Sequence, residues 1–161
     1  MRVSEVMSTP VYVVAAETTA SEAWEMMRVN RTRHLVVMDL EGRVAGVVSA
    51  SDLGGKHGEA VRDGRLVADV MTNKIVSVAP ETTIREVANL MRGHAVNCLP
   101  VLEGHRLAGI ITALDLLELI GRGAERPVAK ATRRILKNRG EVPHRQTAAK
   151  GLDLAPRAAR K

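Results

Sequence analysis

The sequence has almost no aromatic residues: Phe is absent, and Trp and Tyr occur once each among 161 residues. A hydrophobic core must therefore be built from Val, Leu, Ile, Ala and Met. Surfaces that stack unpaired nucleic-acid bases on aromatic rings are all but excluded. With 45% hydrophobic and 26% charged residues, this length predicts one compact globular domain or two very small ones.

Cysteine and long apolar runs are also scarce. The single cysteine, Cys98, cannot form an intrachain disulfide and has no His or Cys neighbours of a metal site, so we expect a buried structural thiol. No run approaches the roughly 18 apolar residues of a membrane span. The opening MRVSEVMSTP carries an acid where a secretion signal would have its apolar region. We therefore expect a soluble cytoplasmic protein that contacts no membrane.

Positive charge is in excess at only one end of the chain. Residues 1–121 contain 12 Lys or Arg against 15 Asp or Glu, a balance of −3, whereas residues 122–161 contain 12 against 3, a balance of +9. The overall net charge of +6 thus belongs to a basic tail and not to a uniformly basic fold.

An internal repeat organises the rest of the chain. A shift of 64 positions lays VSEVMSTPVYVVAAETTASEAWEMMR, from Val3, over VADVMTNKIVSVAPETTIREVANLMR, from Val67. After Met38 the shift drops to 63, and LVVMDLEGRVAGVVSASDL then matches LPVLEGHRLAGIITALDLL. We predict a first repeat at residues 1–58, a linker at 59–66, a second repeat at 67–122 and the basic tail at 123–161.

Each copy predicts the same order of elements: strand, helix, strand, strand, helix. The runs VYVV and IVSV favour buried strands. Capping boxes at Thr19–Glu22 and Thr83–Glu86 predict the starts of the two following helices. Next comes a hairpin with a glycine in its turn, and a final helix is predicted to begin at Ser49 in one copy and Thr112 in the other. The fold class is therefore α/β.

These features resemble a tandem pair of CBS domains, named after cystathionine β-synthase. Each copy opens with Val-Met-Ser/Thr and closes with a Gly-h-h-Ser/Thr-x-x-Asp motif, GVVSASD at Gly46–Asp52 and GIITALD at Gly109–Asp115. The resemblance covers about three-quarters of the chain. It implies a Bateman module, in which two repeats are related by a pseudo-twofold axis and adenosine-containing ligands bind in the clefts between them. It also implies pairing into homodimers.

The closing motif suits a nucleotide. A strand that runs directly into a helix leaves helix amides unpaired and the positive end of the dipole exposed, which favours a phosphate. The hydroxyl of Thr112 or Ser49 can add a hydrogen bond, and the carboxylate of Asp115 or Asp52 can accept from ribose hydroxyls. By the resemblance, the base would be lined by residues near the first and second strands: Thr72 and Ile75 with Asn97, and Ser8 and Val11 with Arg33.

The same motif has a simpler interpretation. Ser/Thr-x-x-Asp is an ordinary helix cap, which stabilises a helix by about 1 kcal/mol without any ligand. The two copies also differ, because LLELI continues the helix after Asp115, whereas LGGKHGE after Asp52 contains glycines that should end it early. Thr112 and Asp115 are therefore the favoured site. Three cations lie in or shortly after the LGGKHGE stretch, and they could help to neutralise phosphates. We expect them instead to be solvated: Lys56, Arg62 and Arg65.

The basic tail is predicted to form a short helix at about 127–138. Contact with nucleic-acid phosphates is one interpretation of its cations; a solvated extension and an acidic protein partner are the others. The cations concerned are Lys130, Arg133, Arg134 and Lys137.

No catalytic triad, pair of carboxylates in a cleft, metal-ligand cluster or Walker loop can be assembled from the sequence, so we do not expect an enzyme. The sequence and the resemblance together predict a non-catalytic, energy-sensing regulatory module. Its ligand would be AMP, ADP or ATP before NAD or S-adenosylmethionine, with no required cofactor, and it would act on an unknown regulated protein. The alternative is a nucleic-acid-associated protein in which the repeat pair is a dimerisation scaffold.

Overall fold

The computed structural model describes residues 1–123, so the predicted tail helix at 127–138 lies outside the described residues. The helices are α1 (Val3–Val6), α2 (Ala20–Asn30), α3 (Glu59–Arg62), α4 (Val67–Val70), α5 (Ile84–His94) and α6 (Ala113–Gly121). The strands are β1 (Val13–Ala15), β2 (His34–Met38), β3 (Val44–Ser49), β4 (Cys98–Glu103) and β5 (Arg106–Thr112). The predicted α/β class is confirmed. None of the described helices is long and apolar enough to span a membrane.

The chain divides into two compact units. The Ser49 unit comprises Tyr12–Asn73, and the described part of the Thr112 unit combines Met1–Val11 with residues 74–123. Each short opening helix therefore lies in the unit of the opposite repeat: Val3 of α1 is buried in the core of the Thr112 unit, and Val67 of α4 in the core of the Ser49 unit. Within residues 1–123, the Thr112 unit is discontinuous in sequence, whereas the Ser49 unit is continuous.

The Ser49 unit is built on a three-stranded sheet in the order β1-β2-β3. β1 runs parallel to β2, with Val13 opposite Val36, and β2 runs antiparallel to β3, with His34 opposite Ser49. Helix α2 packs one face, formed by small and apolar residues, against this sheet. The spacing of these residues follows the 3.6-residue period of a helix. The buried core consists of Val14, Ala20, Ala23, Met27, Leu35, Val37, Val48, Ala50, Leu53 and Val67.

The Thr112 unit contains the antiparallel hairpin of β4 and β5, with Cys98 opposite Thr112 and Glu103 opposite Arg106. The strand predicted at IVSV is reduced to a single parallel bridge between Val78 and Val101. In the other unit the strand predicted at VYVV begins two residues later and ends one residue later than its sequence pattern indicated. The core of the Thr112 unit consists of Val3, Val6, Val78, Val87, Met91, Leu99, Val101, Ile111 and Leu119.

The predicted capping boxes of α2 and α5 are confirmed. The Glu22 amide lies 3.2 Å from Thr19 Oγ1, whose hydroxyl is 2.8 Å from Glu22 Oε2. Thr83 and Glu86 form the same pair at 3.3 and 2.8 Å. Both acidic side chains are exposed to solvent. These caps are purely local, which is why the sequence located both helix starts.

The final helix predicted after Ser49 is wrong. Residues 50–54 form turns, followed by a 3₁₀ helix at Gly55–His57. Gly54 and Gly55 have φ values of 76° and 63°, in the left-handed region that glycine enters without strain and that ends a right-handed helix. The second repeat has no such glycines at this point, and α6 forms there.

Arg62, expected in solvent, is only 6% exposed. One of its guanidinium nitrogens, Nη1, donates to the carbonyl oxygens of Leu53 and Gly55 at 2.8 and 2.7 Å. The guanidinium carbon also lies 4.6 Å from the centroid of the Trp24 ring. Carbonyl acceptors and an aromatic face offset the loss of hydration of a buried cation. The solvated interpretation of Arg62 is therefore wrong, and this side chain holds the glycine turns in place.

Candidate functional site

The strongest candidate is the point where β5 runs into α6. Thr112 is the N-cap of α6, and its backbone amide and hydroxyl both lie 2.7 Å from Asp115 Oδ2. The Asp115 amide in turn donates to Thr112 Oγ1 at 3.3 Å. The first amide of the helix, at Ala113, is bonded at 2.8 Å to the carbonyl oxygen of Asn97. The motif is thus a complete capping box, fastened to the start of β4.

This geometry leaves part of the carboxylate available. Within residues 1–123, every hydrogen bond to the Asp115 carboxylate ends on Oδ2, so Oδ1 has lone pairs for an external donor. The Thr112 hydroxyl, by contrast, already donates its proton to Asp115. An incoming hydroxyl group therefore meets a ready acceptor. A phosphate would first have to turn the threonine hydroxyl away from the carboxylate.

Burial sets the electrostatics of this motif. Asp115 is only 8% exposed, and loss of hydration raises its pKa, although hydrogen bonds from Thr112 act in the opposite direction. Cys98, which pairs with Thr112 across the hairpin, is buried as predicted. Burial, with a smaller contribution from the charge of Asp115, raises the pKa of the Cys98 thiol to about 12. The thiol therefore stays neutral beside the carboxylate at physiological pH.

The first-repeat motif makes the same hydrogen bonds. The Ser49 amide and hydroxyl lie 2.7 and 2.8 Å from Asp52 Oδ2, and the Asp52 amide lies 3.1 Å from Ser49 Oγ. The Ala50 amide is bonded at 2.8 Å to the carbonyl oxygen of Arg33, the counterpart of Asn97. What differs is the element behind the motif, because turns replace the nine-residue helix α6. The Ser49 motif consequently lacks the helix dipole that would favour an anion.

The opening segments lie beside the strands that lead into the motifs. Ser8 forms a two-bond antiparallel bridge with Ile110 of β5, at 2.8 and 3.2 Å, and Thr72 forms the same bridge with Val47 of β3, at 2.9 and 3.1 Å. Both bridges lie two residues before the N-cap hydroxyl. Each opening Ser or Thr is thus held near the closing motif of the opposite repeat.

Two glycines permit this approach. A Cβ atom at Gly46 would lie 2.6 Å from the carbonyl oxygen of Thr72, and one at Gly109 would lie 2.5 Å from the sulfur of Met7. Real Cβ contacts are essentially never below 3.0 Å. The glycine that opens each closing motif therefore leaves room for the opening segment, against backbone at Gly46 and against a side chain at Gly109, a role that the sequence pattern did not reveal.

The predicted base-lining residues are distributed over both units. Ser8, Val11, Ile75 and Asn97 belong to the Thr112 unit, whereas Arg33 and Thr72 belong to the Ser49 unit. The structure joins four of them to strands or motifs through backbone bonds: Ser8, Thr72, Arg33 and Asn97. Among residues 1–123, no hydrogen bond joins Val11 or Ile75 to either motif. A base-binding role for any of the six stays a prediction.

Residues 1–123 contain no group of three His, Cys, Asp or Glu side chains able to hold a metal ion. The candidate nucleic-acid contacts in the tail lie outside the described residues: Lys130, Arg133, Arg134 and Lys137. Cys98 was not predicted to lie beside the motif. Counting the hairpin register back from its glycine turn would have placed Cys98 opposite Ile111, because the pairing shifts by one residue between Val101 and Leu102.

Comparison with known proteins agrees with the duplicated architecture. The CBS domain profile matches residues 3–53 and 67–122. The chain is 34% identical to the magnesium transporter MgtE of Thermus thermophilus over 77% of its length, but spans only 28% of that relative. It is 28% identical to the CBS domain-containing protein YhcV of Bacillus subtilis, covering 71% of this chain and 81% of YhcV. The chain spans 14% to 32% of the first curated relatives it matches.

A solved structure shows the same fold. The CBS domain pair of protein MJ0100, in complex with 5′-methylthioadenosine and S-adenosyl-L-methionine, superposes with a TM-score of 0.69. Its sequence is 21% identical, and the match covers 76% of this chain and 98% of that one.

Proposed function

The chain belongs to the CBS domain family, and on that premise we propose that it is a non-catalytic regulatory module that binds an adenosine-containing ligand. The binding groups would be Thr112 and Asp115 in one unit, and Ser49 and Asp52 in the other. The predicted base-lining residues would complete these sites. This proposal concerns only the described part of the chain. The larger relatives also carry other activities, which belong to regions outside the match with this chain.

One observation carries the proposal: the Asp115 carboxylate is buried, yet keeps an oxygen available. An ordinary cap needs no burial, as the exposed carboxylates of Glu22 and Glu86 in the capping boxes of α2 and α5 show. Burial acts against the ionised form of Asp115, whereas two hydroxyl donors on a ligand would stabilise it. A ribose supplies two adjacent hydroxyls, so an adenosine moiety suits this acceptor.

The ligand class follows from the same geometry. Because the Thr112 hydroxyl is already engaged by Asp115, a nucleoside, or a nucleoside that carries a thioether or sulfonium group at its 5′ carbon, can bind through its ribose without disturbing the cap. The MJ0100 pair is solved with two ligands of this kind. AMP, ADP and ATP remain in the proposal, with the phosphates directed to the N-terminus of α6. NAD is a less favoured candidate.

Ligand binding would act by population shift. A ligand that prefers one conformation stabilises it and changes which surface a partner protein meets.

Helix α6, which begins at the proposed site, carries three exposed apolar residues at spacing i, i+3 and i+6: Leu114, Leu117 and Ile120, at 60%, 61% and 72% exposure. We propose that a second copy of the chain covers this face in a homodimer. Light scattering of wild type and Leu117→Glu tests it: a dimer that dissociates in the variant is expected, whereas a monomeric wild type contradicts it.

Thermal unfolding with candidate ligands tests the ligand proposal. Adenosine, 5′-methylthioadenosine, S-adenosylmethionine, AMP, ADP, ATP and NAD are added separately. A ligand at a hundredfold excess over its dissociation constant stabilises the protein by about 2.7 kcal/mol. Asp115→Asn and Asp52→Asn remove the proposed acceptor charges. Glu86→Gln is the matched control, since it makes the same acid-to-amide change in an exposed capping box of the Thr112 unit.

At least one ligand should stabilise wild type and Glu86→Gln equally, and the shift should be lost in the Asp52→Asn, Asp115→Asn double variant. The proposal is wrong if none of the seven ligands changes the melting temperature. It is equally wrong if the shift survives in the double variant.

The charge division supports a second candidate function, binding of nucleic acid by the tail. The +9 balance of residues 122–161 against −3 in the preceding chain would give salt-dependent contact with phosphates. Retention of DNA or RNA at low salt should disappear in a chain ending at Gly123. Retention that survives this truncation would contradict a role for Lys130, Arg133, Arg134 and Lys137.

A further inference from the structure

The Ser49 unit contains an open groove of about 480 Å³ between α2 and α3. We propose that this groove binds a basic peptide segment, with a Lys or Arg side chain lying beside Trp24 and pairing with Glu59 and Asp63. The lining residues are Ser21, Trp24, Glu59, Ala60, Arg62 and Asp63. None of them belongs to a closing motif, so the proposal goes beyond the ligand function and does not depend on it.

The two acids are the first reason. Glu59 and Asp63 are four residues apart and exposed, and neither forms an ion pair with any residue of the described chain. Like charges at this helical spacing repel each other. Asp63 also follows the last residue of α3, where a carboxylate faces the negative end of the helix. A cation placed between them would offset both unfavourable terms.

Arg62 is the second reason. It is the one cation among the described residues that line the groove. However, its Nη1 donates to the carbonyl oxygens of Leu53 and Gly55, and Arg62 is only 6% exposed. The guanidinium therefore neither neutralises the two acids nor presents a charge to an anionic ligand. The accessible charge of the groove is negative, which selects a cationic partner.

Trp24 supplies the third part of the site. The guanidinium carbon of Arg62 lies over one side of the ring, 4.6 Å from the ring centroid. Trp24 is nevertheless only partly buried. An accessible indole beside two carboxylates attracts an alkylammonium or guanidinium group by cation–π and ionic contacts together. The chain as a whole carries +6, so its net charge would repel a basic peptide. Binding must then come from the groove itself.

The groove is separate from the duplicated architecture. At the 64-residue shift, the position of Trp24 is occupied by Ala88 in the second repeat. The α3 segment that provides the acids lies between the two matched repeats, at Glu59–Arg62. The site is thus a feature of the Ser49 unit alone.

The only tryptophan in the chain provides a direct readout. The full chain is titrated with the peptide acetyl-Gly-Lys-Gly-Arg-Gly-amide while Trp24 emission is recorded. A saturable change in emission is expected, and it should weaken as salt is raised. The peptide acetyl-Gly-Gln-Gly-Gln-Gly-amide should produce no saturable change.

The Glu59→Gln, Asp63→Asn double variant should bind the basic peptide about tenfold more weakly, because two exposed ion pairs are lost. Glu81→Gln with Glu103→Gln is the control, since it removes two exposed acids from the Thr112 unit and should leave the affinity unchanged. Removing the repulsion between these two acids should not impair folding, which thermal melts verify. Equal affinities for both double variants, or the absence of a saturable change in wild type, would overturn the proposal.

Discussion

The Ser49 and Thr112 motifs form the same three hydrogen bonds, with distances that agree to within 0.2 Å. The structures that follow the two motifs in the chain are different. Behind Thr112 lies a nine-residue helix, and Asp115 is buried. Behind Ser49 lie glycine turns held by a buried arginine, and Asp52 is half-buried. The capping box is therefore a local structure that forms with or without a helix behind it. Suitability for a ligand depends on what surrounds it.

The largest expected difference between the motifs comes from their first glycines. Gly46→Ala should destabilise the protein by about 3 kcal/mol, because the added methyl group meets the Thr72 carbonyl oxygen, which is fixed in a β-bridge. Gly109→Ala should cost about 1 kcal/mol, since the flexible Met7 side chain can move away. Urea unfolding measures both.

Gly93→Ala serves as the control for these substitutions. It lies within α5 with nothing within 4 Å of the added atom, and it should stabilise the protein by about 0.5–1 kcal/mol through helix propensity. Equal losses for the Gly46 and Gly109 variants would show that the two opening segments are equally adaptable.

The next effect concerns ligand affinity. If a ribose binds at Asp115, Asp115→Asn should weaken the ligand identified by the melting screen by about 2 kcal/mol, or roughly thirtyfold, because a charge-assisted hydrogen bond is lost. Asp52→Asn should have the smaller effect, since its motif lacks the helix behind it. Calorimetric titration distinguishes the two, and a larger loss for Asp52→Asn would reverse the assignment of the main site.

Protonation of Asp115 should change the free energy of unfolding by a smaller amount, and the direction of this change follows from its pKa shift. Burial raises its pKa above the ordinary 3.8, so between these two values the native state holds more protons than the unfolded chain. The free energy of unfolding contributed by this group therefore falls as pH rises through that window and is level above it. Denaturant melts from acid to neutral pH should show this component in wild type. It should be missing in Asp115→Asn, and an unchanged profile in the variant would contradict the burial argument.

The smallest expected effect is shared by both units. Arg31 and Ala95 end α2 and α5 in the left-handed conformation, with φ of 50° and 54°. This conformation costs about 1–2 kcal/mol for a residue with a side chain, while glycine costs about 0.5–1 kcal/mol in the unfolded chain. Arg31→Gly and Ala95→Gly should each stabilise by about 0.5 kcal/mol in urea melts. Destabilisation by either would indicate that its side chain makes a contact worth more than the relief of strain.

Much of the fold follows from local sequence chemistry. The capping boxes at Thr19 and Thr83 and the position of α6 were predicted because each depends on residues three positions apart, and the hairpins were predicted from the glycine in each turn. The duplication also indicated the family, which the profile match confirmed. The candidate acids Asp52 and Asp115 were identified in the same way, although their ligand role stays a prediction.

Only the tertiary structure decided which segments pack together. Nothing in the opening Val-Met-Ser/Thr segments reveals that each is buried in the unit of the opposite repeat, because the partners of Val3 and Val67 are distant in sequence. The burial of Arg62 and Asp115 has the same origin, since exposure depends on every surrounding element. Hydrogen bonds within one helical turn can be read from the chain itself, whereas desolvation and close packing arise only when remote segments meet.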